Sequence, residues 1–295
     1  DVGYKYKSDI SKSKHIFFPI SYDLASLKKI KKDKGAIIQR LDGIYYPQKH
    51  DTSYQEKNKL IKDIYLNYAT KVVFQSQYSK AQCFKLFGEK DTNDYEIIIN
   101  GVNEAIFYPS NILTKSPKTF KFVTTGNFRN LDMLEPVIKA LDAISKFDFE
   151  LNIIGPIVND KLHDLINRDY INHLGNKDSN QIAHLLREHH IFMYSHLNPP
   201  CPNSVLEAIA SGLPVVGFNS GSMSELLHFS PNLLAEVSDD VFQKYEDFSA
   251  DALKEKIIYC MTHFEKIKEV SLVNASNYSF KHCGKQYQKI FQNIG

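Results

Sequence analysis

The stretch that decides the fold reads Asn198-Pro199-Pro200-Cys201-Pro202-Asn203-Ser204-Val205-Leu206-Glu207-Ala208-Ile209-Ala210-Ser211-Gly212-Leu213-Pro214-Val215-Val216. A proline-rich loop comes first, and the apolar spacing after it predicts a helix over residues 203–211. Gly212 can end that helix in a left-handed conformation, and the apolar run over 214–218 predicts a buried strand. Loop, helix, glycine stop and strand in this order are typical of an α/β domain.

The start of this helix is a candidate anion site. Asn203 or Ser204 can cap the helix, and the amides of Ser204, Val205 and Leu206 then lie at the positive end of its dipole. Such an end suits a diphosphate. Glu207 can accept hydrogen bonds from sugar or ribose hydroxyls. It can equally serve only the helix dipole, as in any α/β protein.

Strand-like and helix-like periods alternate along the whole chain. The predicted strands cover residues 15–20, 36–39, 71–75, 96–100, 121–125, 150–154, 171–174, 191–194, 214–218 and 233–237. The predicted helices cover about 54–68, 77–87, 132–146, 160–168, 180–188, 203–211, 222–228, 250–265 and 279–293. This alternation favours parallel sheets with helices on both faces, so the fold class is α/β.

A chain of 295 residues is long enough for two domains. Residues 114–118 have linker composition, so we expect a domain over 1–115, a second over 116–275 and a last helix within 276–295. The first domain is small for a doubly wound sheet and the chain opens on Asp1 instead of Met, so we expect its first strands to be absent. Two such domains enclose a cleft at the carboxyl ends of their strands, where ligands bind.

Composition and charge exclude several classes. With 43% hydrophobic and 24% charged residues the chain is an ordinary globular protein, and its net charge of +2 does not indicate a nucleic-acid binder. Residues 1–115 hold 19 Lys and Arg against 13 Asp and Glu. The Lys-rich segment 28–34 predicts a solvated helix face, or a patch for a phosphate-bearing substrate or an acidic membrane surface. We expect a cytoplasmic protein, peripheral at the inner membrane face under the last interpretation.

Cysteine and histidine spacing indicates no metal site. The four cysteines are far apart and form no Cys-x-x-Cys pair, which favours a reducing compartment. His184, Glu188, His189 and His190 are the nearest approach to a ligand group. They lie at the end of a predicted helix with no second ligand pair nearby, so we interpret them as a surface helix end.

The order of these features resembles the donor-site signature of the family 4 retaining glycosyltransferases (glycosyl transferases group 1), which have the GT-B fold. The family's signature is Glu-x7-Glu followed by Ala-x-Ala-x-Gly-x-Pro-Val-Val. Glu207 stands at the second Glu, and the matching residues after it are Ala208, Ala210, Gly212, Pro214, Val215 and Val216. Further matches, in the family order, are Phe74–Ser79, Ile99–Asn103, Phe107–Pro109, Ile153–Gly155, Leu174–Gly175, Ser195, Gly221–Glu225 and the helix after Tyr278. Their order and number make the resemblance specific over residues 70–293.

Two departures concern the donor site. The first Glu of the motif is replaced by Pro199, and we expect Asn198 or a backbone amide of the 201–203 turn to stand in for it. In the loop after the first strand of the second domain, the family's Arg and Lys positions hold Asn127 and Asp132.

Two residues of this chain can offset what the family's pattern lacks here. Arg129 lies in the same loop as Asn127 and can supply the missing cation, because a guanidinium binds phosphate oxygens in pairs.

A third departure lies in the first domain, where the family has a His near the reacting sugar. Asp42, beside Arg40, stands at that strand end and either lines the cleft or simply begins a turn at Gly43.

The resemblance implies transfer of a sugar from a nucleotide diphosphate sugar to a hydroxyl group, with retention, in surface glycan or polysaccharide synthesis. It implies no cofactor and no metal, and an acceptor that is a glycan or a lipid-linked molecule. The implied catalytic residues are Arg129, Glu207 and Asp42, with Glu207 on the nucleotide ribose. The implied donor-binding residues are Gly126, Asn127, Gly155, Gly175, Asn203, Ser204, Val205, Glu207 and Glu225.

Two other interpretations stay open. Asn127, Asp132 and Pro199 also fit a degenerate GT-B protein that binds a nucleotide sugar or partners an active transferase. A sugar-nucleotide epimerase of the same shape would need acid and base side chains in the cleft, which the sequence does not place. Release of free nucleotide diphosphate separates an enzyme from a binding protein, and the identity of the product separates the two enzymes.

Overall fold

A computed structural model describes residues 14–110 and 115–293. These residues form two compact units. The first holds residues 14–100 with 281–293, and the second runs from Gly101 to Phe280. The predicted boundary lay at 115/116, in a linker whose residue 114 falls outside the described residues.

The first unit is built on one parallel sheet with the strand order β1-β2-β3-β4. Its elements are β1 Ile16–Pro19, α1 Leu24–Lys32, β2 Ile37–Leu41, α2 Pro47–His50, α3 Tyr54–Asn67, β3 Lys71–Phe74, α4 Gln77–Phe87 and β4 Tyr95–Ile97. The C-terminal helix, Phe280–Gln292, contributes Ile290 to a core with Ile38, Val73 and Ile98. Local sequence explains the starts of the helices: Asp23 caps α1 through the Ser26 amide.

The second unit is built on a six-stranded parallel sheet with the order β10-β9-β8-β5-β6-β7. Its elements are β5 Thr119–Thr125, α5 Glu135–Asp142, β6 Asp148–Ile154, α6 Asp160–Leu165, β7 Ile171–Gly175, α7 Ser179–Glu188, β8 Ile191–Tyr194, α8 Asn203–Ala210, β9 Val215–Phe218, α9 Met223–Leu226, β10 Leu234–Ala235, α10 Ala250–Thr262 and α11 Phe264–Val273. The C-terminal helix is α12. From β5 the chain first adds β6 and β7 on one side, and then β8, β9 and β10 on the other. The strand order therefore reverses between β5 and β8.

The core of the second unit explains its apolar strands. All four residues of β8, and all four of β9, are buried. Strands covered by helices on both faces read as unbroken apolar runs, which is the pattern that identified them in the sequence. The α/β prediction with parallel sheets is confirmed, and each predicted strand is present with its ends shifted by a few residues.

The helix predictions were less accurate. The predicted helix over 250–265 is two helices, because α10 ends at Thr262 and α11 begins at Phe264 after the single residue His263. The predicted helix over 132–146 begins only at Glu135, after a 3-10 turn over Leu131–Met133. No helix among the described residues is long and apolar enough to cross a membrane.

Candidate functional site

Three glycines bring the carboxyl ends of β5, β6 and β7 close together. The Gly126 amide donates to Ile154 O at 3.0 Å, and the Gly155 amide donates to Gly175 O at 2.9 Å. A Cβ on Gly155, which has φ +121°, would lie 1.9 Å from the carbonyl oxygen of Gly126. Only glycine permits this approach. The predicted donor-site residues Gly126, Gly155 and Gly175 therefore lie side by side at one edge of the sheet.

Asp132 holds the loop that follows β8. Its carboxylate Oδ2 accepts from the Leu197 amide at 2.8 Å, and its backbone oxygen accepts from Ser195 Oγ at 2.8 Å. Asp132 and Ser195 are both buried. The residue at the family's Lys position thus binds a neighbouring loop of its own chain. Between the two bound residues lies His196, which the sequence analysis did not single out.

A buried polar network holds the next part of the same loop. Asn198 Nδ2 donates to Gln243 O, and Asn198 Oδ1 accepts from the Gln243 amide, both at 3.0 Å. Gln243 Oε1 accepts from Ser220 Oγ at 3.2 Å, and Ser220 Oγ accepts from the Asn198 amide at 3.0 Å. The expectation that Asn198 replaces the missing Glu was wrong, because both atoms of its amide group are bound to the Gln243 backbone. Gln243 carried no motif that could have identified it in the sequence.

Pro199 packs against the loop that follows β9. The Ser222 amide donates to Pro199 O at 2.9 Å, and a Cβ on Gly221, which has φ +62°, would lie 2.4 Å from that oxygen. Gly221 is therefore required where the two loops meet. The same loop leads into α9, which carries the half-buried Glu225, and Tyr278 Oη donates to Leu226 O at 2.9 Å.

Helix α8 begins at Asn203, with Pro202 as its N-cap and no side-chain hydrogen bond at that end. The expected capping by Asn203 or Ser204 was wrong, since both residues lie inside the helix. The Val205 and Leu206 amides donate to Pro202 O at 3.1 and 3.2 Å. Of the three amides expected to be open, only that of Ser204 lacks an acceptor within the described part of the chain.

Glu207 lies in the second half of α8 and is half-buried. Its carboxylate has no hydrogen-bond or ion-pair partner among residues 14–110 and 115–293. Burial raises the pKa of this carboxyl from its usual 4.5 to about 7. A desolvated carboxylate without donors is costly in the folded chain, so this group is suited to accept hydrogen bonds from a ligand.

Arg129 and Asn127 lie together on the exposed loop after β5. Arg129 Nε donates to Asn127 Oδ1 at 3.2 Å, and Asn159 Nδ2 donates to Arg129 O at 3.1 Å. The guanidinium is thus held near the end of β5 by a neutral side chain. No carboxylate is paired with this guanidinium in the described ranges, so it can pair with an anion.

Asp42 lies in the first unit, in a polar cluster at the carboxyl ends of β2 and β3. Its Oδ1 is 2.7 Å from Arg40 Nε and accepts from Gln75 Nε2 at 3.1 Å. Gln75 Nε2 and Arg40 Nη2 also donate to Asn100 Oδ1, at 3.1 and 3.3 Å. Desolvation raises the pKa of Asp42, and the charge of Arg40 opposes this shift. The carboxylate is bound within its unit, and it is more than a plain turn residue.

The histidines considered as metal ligands have separate partners. His184 Nε2 lies 3.3 Å from Glu188 Oε1 on the exposed face of α7. His189 contacts Asn152 Nδ2 at 2.6 Å, and His190 Nδ1 accepts from a backbone amide at 2.9 Å. Within the described ranges, no three His, Cys, Asp or Glu residues are grouped to hold a metal ion.

Comparison with known proteins defines the class. The family described as "Glycosyl transferases group 1" matches residues 119–262. Those residues span β5 to α10 and include every predicted donor-site residue. No curated protein sequence matches this chain.

Solved structures match nearly the whole chain. HepE from Anabaena, in complex with UDP and glucose, is 15% identical with a TM-score of 0.74, over 92% of this chain and 76% of that one. Sucrose-phosphate synthase from Thermosynechococcus elongatus is 14% identical with a TM-score of 0.71, over 92% and 71%. WaaG, a glycosyltransferase involved in lipopolysaccharide biosynthesis, is 14% identical with a TM-score of 0.67, over 90% and 80%.

The fold and the family match agree with the resemblance seen in the sequence. Residues 119–262 belong to the group 1 glycosyltransferases. The chain has the GT-B fold of such enzymes, with one parallel sheet in each unit. The second unit therefore carries a domain of the glycosyltransferase group 1 type over residues 119–262.

The pKa of Glu207 predicts how stability depends on pH. Because the folded-state pKa is raised, folding loses stability as pH rises from about 4.5 to 7, where the unfolded chain ionises first. We expect Glu207→Gln to be more stable than the parent by about 2 kcal/mol at pH 8 and similar to it near pH 4.5. Urea denaturation at both pH values measures this, with the exposed Glu255→Gln on α10 as control. A difference that does not change with pH would contradict the prediction.

Proposed function

We propose that the chain transfers a sugar from a nucleotide diphosphate sugar to a hydroxyl acceptor. The observation that carries this proposal is Glu207, a half-buried carboxylate without a partner in the described ranges, one turn from the open Ser204 amide. A ribose presents two neighbouring hydroxyl donors, which would satisfy such a carboxylate. The open helix end would then take the adjoining diphosphate.

The proposed mechanism uses positioning and charge. The bond from the sugar to the diphosphate breaks while the acceptor oxygen forms the new bond. The proton of the acceptor hydroxyl passes to an oxygen of the leaving diphosphate, which still carries negative charge. The Ser204 amide, the α8 dipole and Arg129 would stabilise that charge without a metal or another cofactor. We propose that the transfer keeps the configuration of the sugar, which is the retention implied by the resemblance. The proposed donor contacts are Gly126, Asn127, Gly155, Gly175, Asn203, Ser204, Val205, Glu207 and Glu225.

A nucleotide panel tests the donor site. We take UDP as the first nucleoside diphosphate to test, because HepE binds UDP in its solved structure. A nucleoside diphosphate at ~100 times its dissociation constant adds about 2.7 kcal/mol of stability. We therefore expect one diphosphate to raise the melting temperature of the parent by several degrees.

We expect Glu207→Ala and Arg129→Ala to lose most of that shift, and Arg168→Ala to keep it. Arg168 is the matched control, since it is an arginine of the same unit that is paired with Asp142 at the C-terminal end of α5. A well-folded parent that no nucleotide of the panel stabilises would contradict the proposed function.

A second candidate, a nucleotide-sugar-binding protein without catalysis, is favoured by one observation. Pro199 replaces the family's first Glu, and Asn198 is occupied by Gln243, so no side chain of this loop is known to serve the sugar. Turnover distinguishes the two functions. We expect release of nucleoside diphosphate from the donor to rise with acceptor concentration, and to fall at least tenfold in Arg129→Ala. Donor binding without any release, across a panel of glycan and lipid-linked acceptors, would favour the second candidate.

We propose that the acceptor side involves the first unit and an anionic membrane surface. Helix α1 buries Leu27 and Ile30 and exposes Lys28 and Lys29, with Lys31, Lys32 and Lys34 in the same segment. Each lysine near an anionic surface contributes about 1 kcal/mol. We expect binding to vesicles with 30% phosphatidylserine (about one lipid in three) at low salt and its loss in a Lys28→Glu/Lys29→Glu/Lys32→Glu variant. Equal sedimentation of both proteins would contradict this. Surface-glycan synthesis and Asp42 as an acceptor-side residue complete the proposal.

A further inference from the structure

The strand order singles out one place in the second unit where a ligand can enter between loops. In doubly wound sheets, ligands bind at the carboxyl edge where the strand order reverses, because the loops on the two sides turn in opposite directions there. That place lies between β5 and β8. Val123 is paired with Phe192 in these strands, so Gly126 and Ser195 are level with each other at the edge.

His196 lies on one side of this opening and Gly126 on the other. A Cβ added to Gly126 would lie 3.3 Å from His196 Cε1, so the imidazole packs directly on the glycine. The imidazole ring is half-buried and stacks on Tyr194, with 4.4 Å between ring centroids. The imidazole and the Phe128 ring also meet edge to face, with 6.3 Å between their centroids. The side chain is therefore held at the opening, with the ring half-buried and its Nε2 buried.

The backbone on both sides of His196 is fixed by one residue. Ser195 donates to the backbone oxygen of Asp132, and Leu197 donates to its carboxylate. A rigid neighbourhood of this kind is what a ligand-contacting side chain needs, since little entropy is lost when the ligand binds. Asp132 thus fixes the backbone around His196, a role that the sequence motif did not predict.

The loop after β5 indicates which part of a ligand His196 would meet, because Arg129 is the one basic side chain that we assign there to the diphosphate. Asn127 and Asp132 hold the positions where the family has cations, and Arg129 is tied to Asn127. An imidazole N–H can donate a hydrogen bond to a phosphate oxygen, and hydrogen bonds to charged acceptors are the stronger kind. His196 is placed to give the diphosphate a second donor beside Arg129.

We infer that His196 binds the diphosphate of the donor, and that Asp132 is the positioning residue that presents it. This inference rests on the proposed function, since it needs a nucleotide donor in the second unit. It adds a phosphate contact in the loop after β8, where the sequence motif predicted none.

The test compares ligands that differ only in phosphate number. Affinities for the nucleoside diphosphate that stabilises the parent, and for the matching monophosphate, are measured by calorimetry for the parent and for His196→Ala, His196→Gln and Asp132→Ala. We expect His196→Ala to weaken diphosphate binding by about tenfold to hundredfold, and monophosphate binding by less than threefold. His196→Gln, which keeps an N–H donor, should recover part of the loss. His184→Ala, an exposed histidine on α7, is the matched control.

Asp132→Ala should reproduce the selective loss, and adding His196→Ala to it should weaken diphosphate binding little further, because the two residues act as one unit. Melting curves show whether each variant is folded. Equal losses for diphosphate and monophosphate in His196→Ala would overturn the inference while leaving the proposed function intact. A parent that binds no nucleotide would overturn the proposed function first, and this inference with it.

Discussion

The paired hydrogen bonds between the Asn198 side chain and the Gln243 backbone are the constraint on which the loops after β8 and β9 depend. They tie the loop after β8 to the loop before α10, and through Ser220 to the loop after β9. Asn198 adopts φ +49°, a left-handed conformation that asparagine tolerates better than most residues. The course of the proline-rich turn, and with it the start of α8, follows from this buried contact.

The second constraint is the close approach of backbones at the edge of the six-stranded sheet. Gly126 and Gly155 approach so closely that no side chain fits between them. The site therefore offers mainly backbone amides, together with the few side chains that the loops carry. A group 1 glycosyltransferase domain with this edge needs little side-chain chemistry of its own, because the proposed reaction relies on placing a donor and stabilising its leaving group.

Local patterns predicted the parts that depend on neighbours in the chain. The buried strands and the helix carrying Glu207 follow from apolar spacing and from a glycine stop, which act over a few residues. Predictions failed where distant residues decide the outcome. Asn198 was expected to face a ligand, yet its partner Gln243 lies 45 residues away. The sequence motif predicted no structural role for Asp132, whose carboxylate accepts a hydrogen bond from an amide 65 residues further on.

The sequence by itself determined the α/β class, the resemblance to the group 1 glycosyltransferases and the position of Glu207 on a helix, because hydrophobic period and motif order are local properties. Only the tertiary structure decided which polar groups are occupied and which are open. It bound Asn198 and Asp132 within the protein, left the Glu207 carboxylate without a described partner, and brought His196 against Gly126. The physical reason is that a hydrogen bond between loops depends on the packing of the whole sheet, which joins strands far apart in the chain.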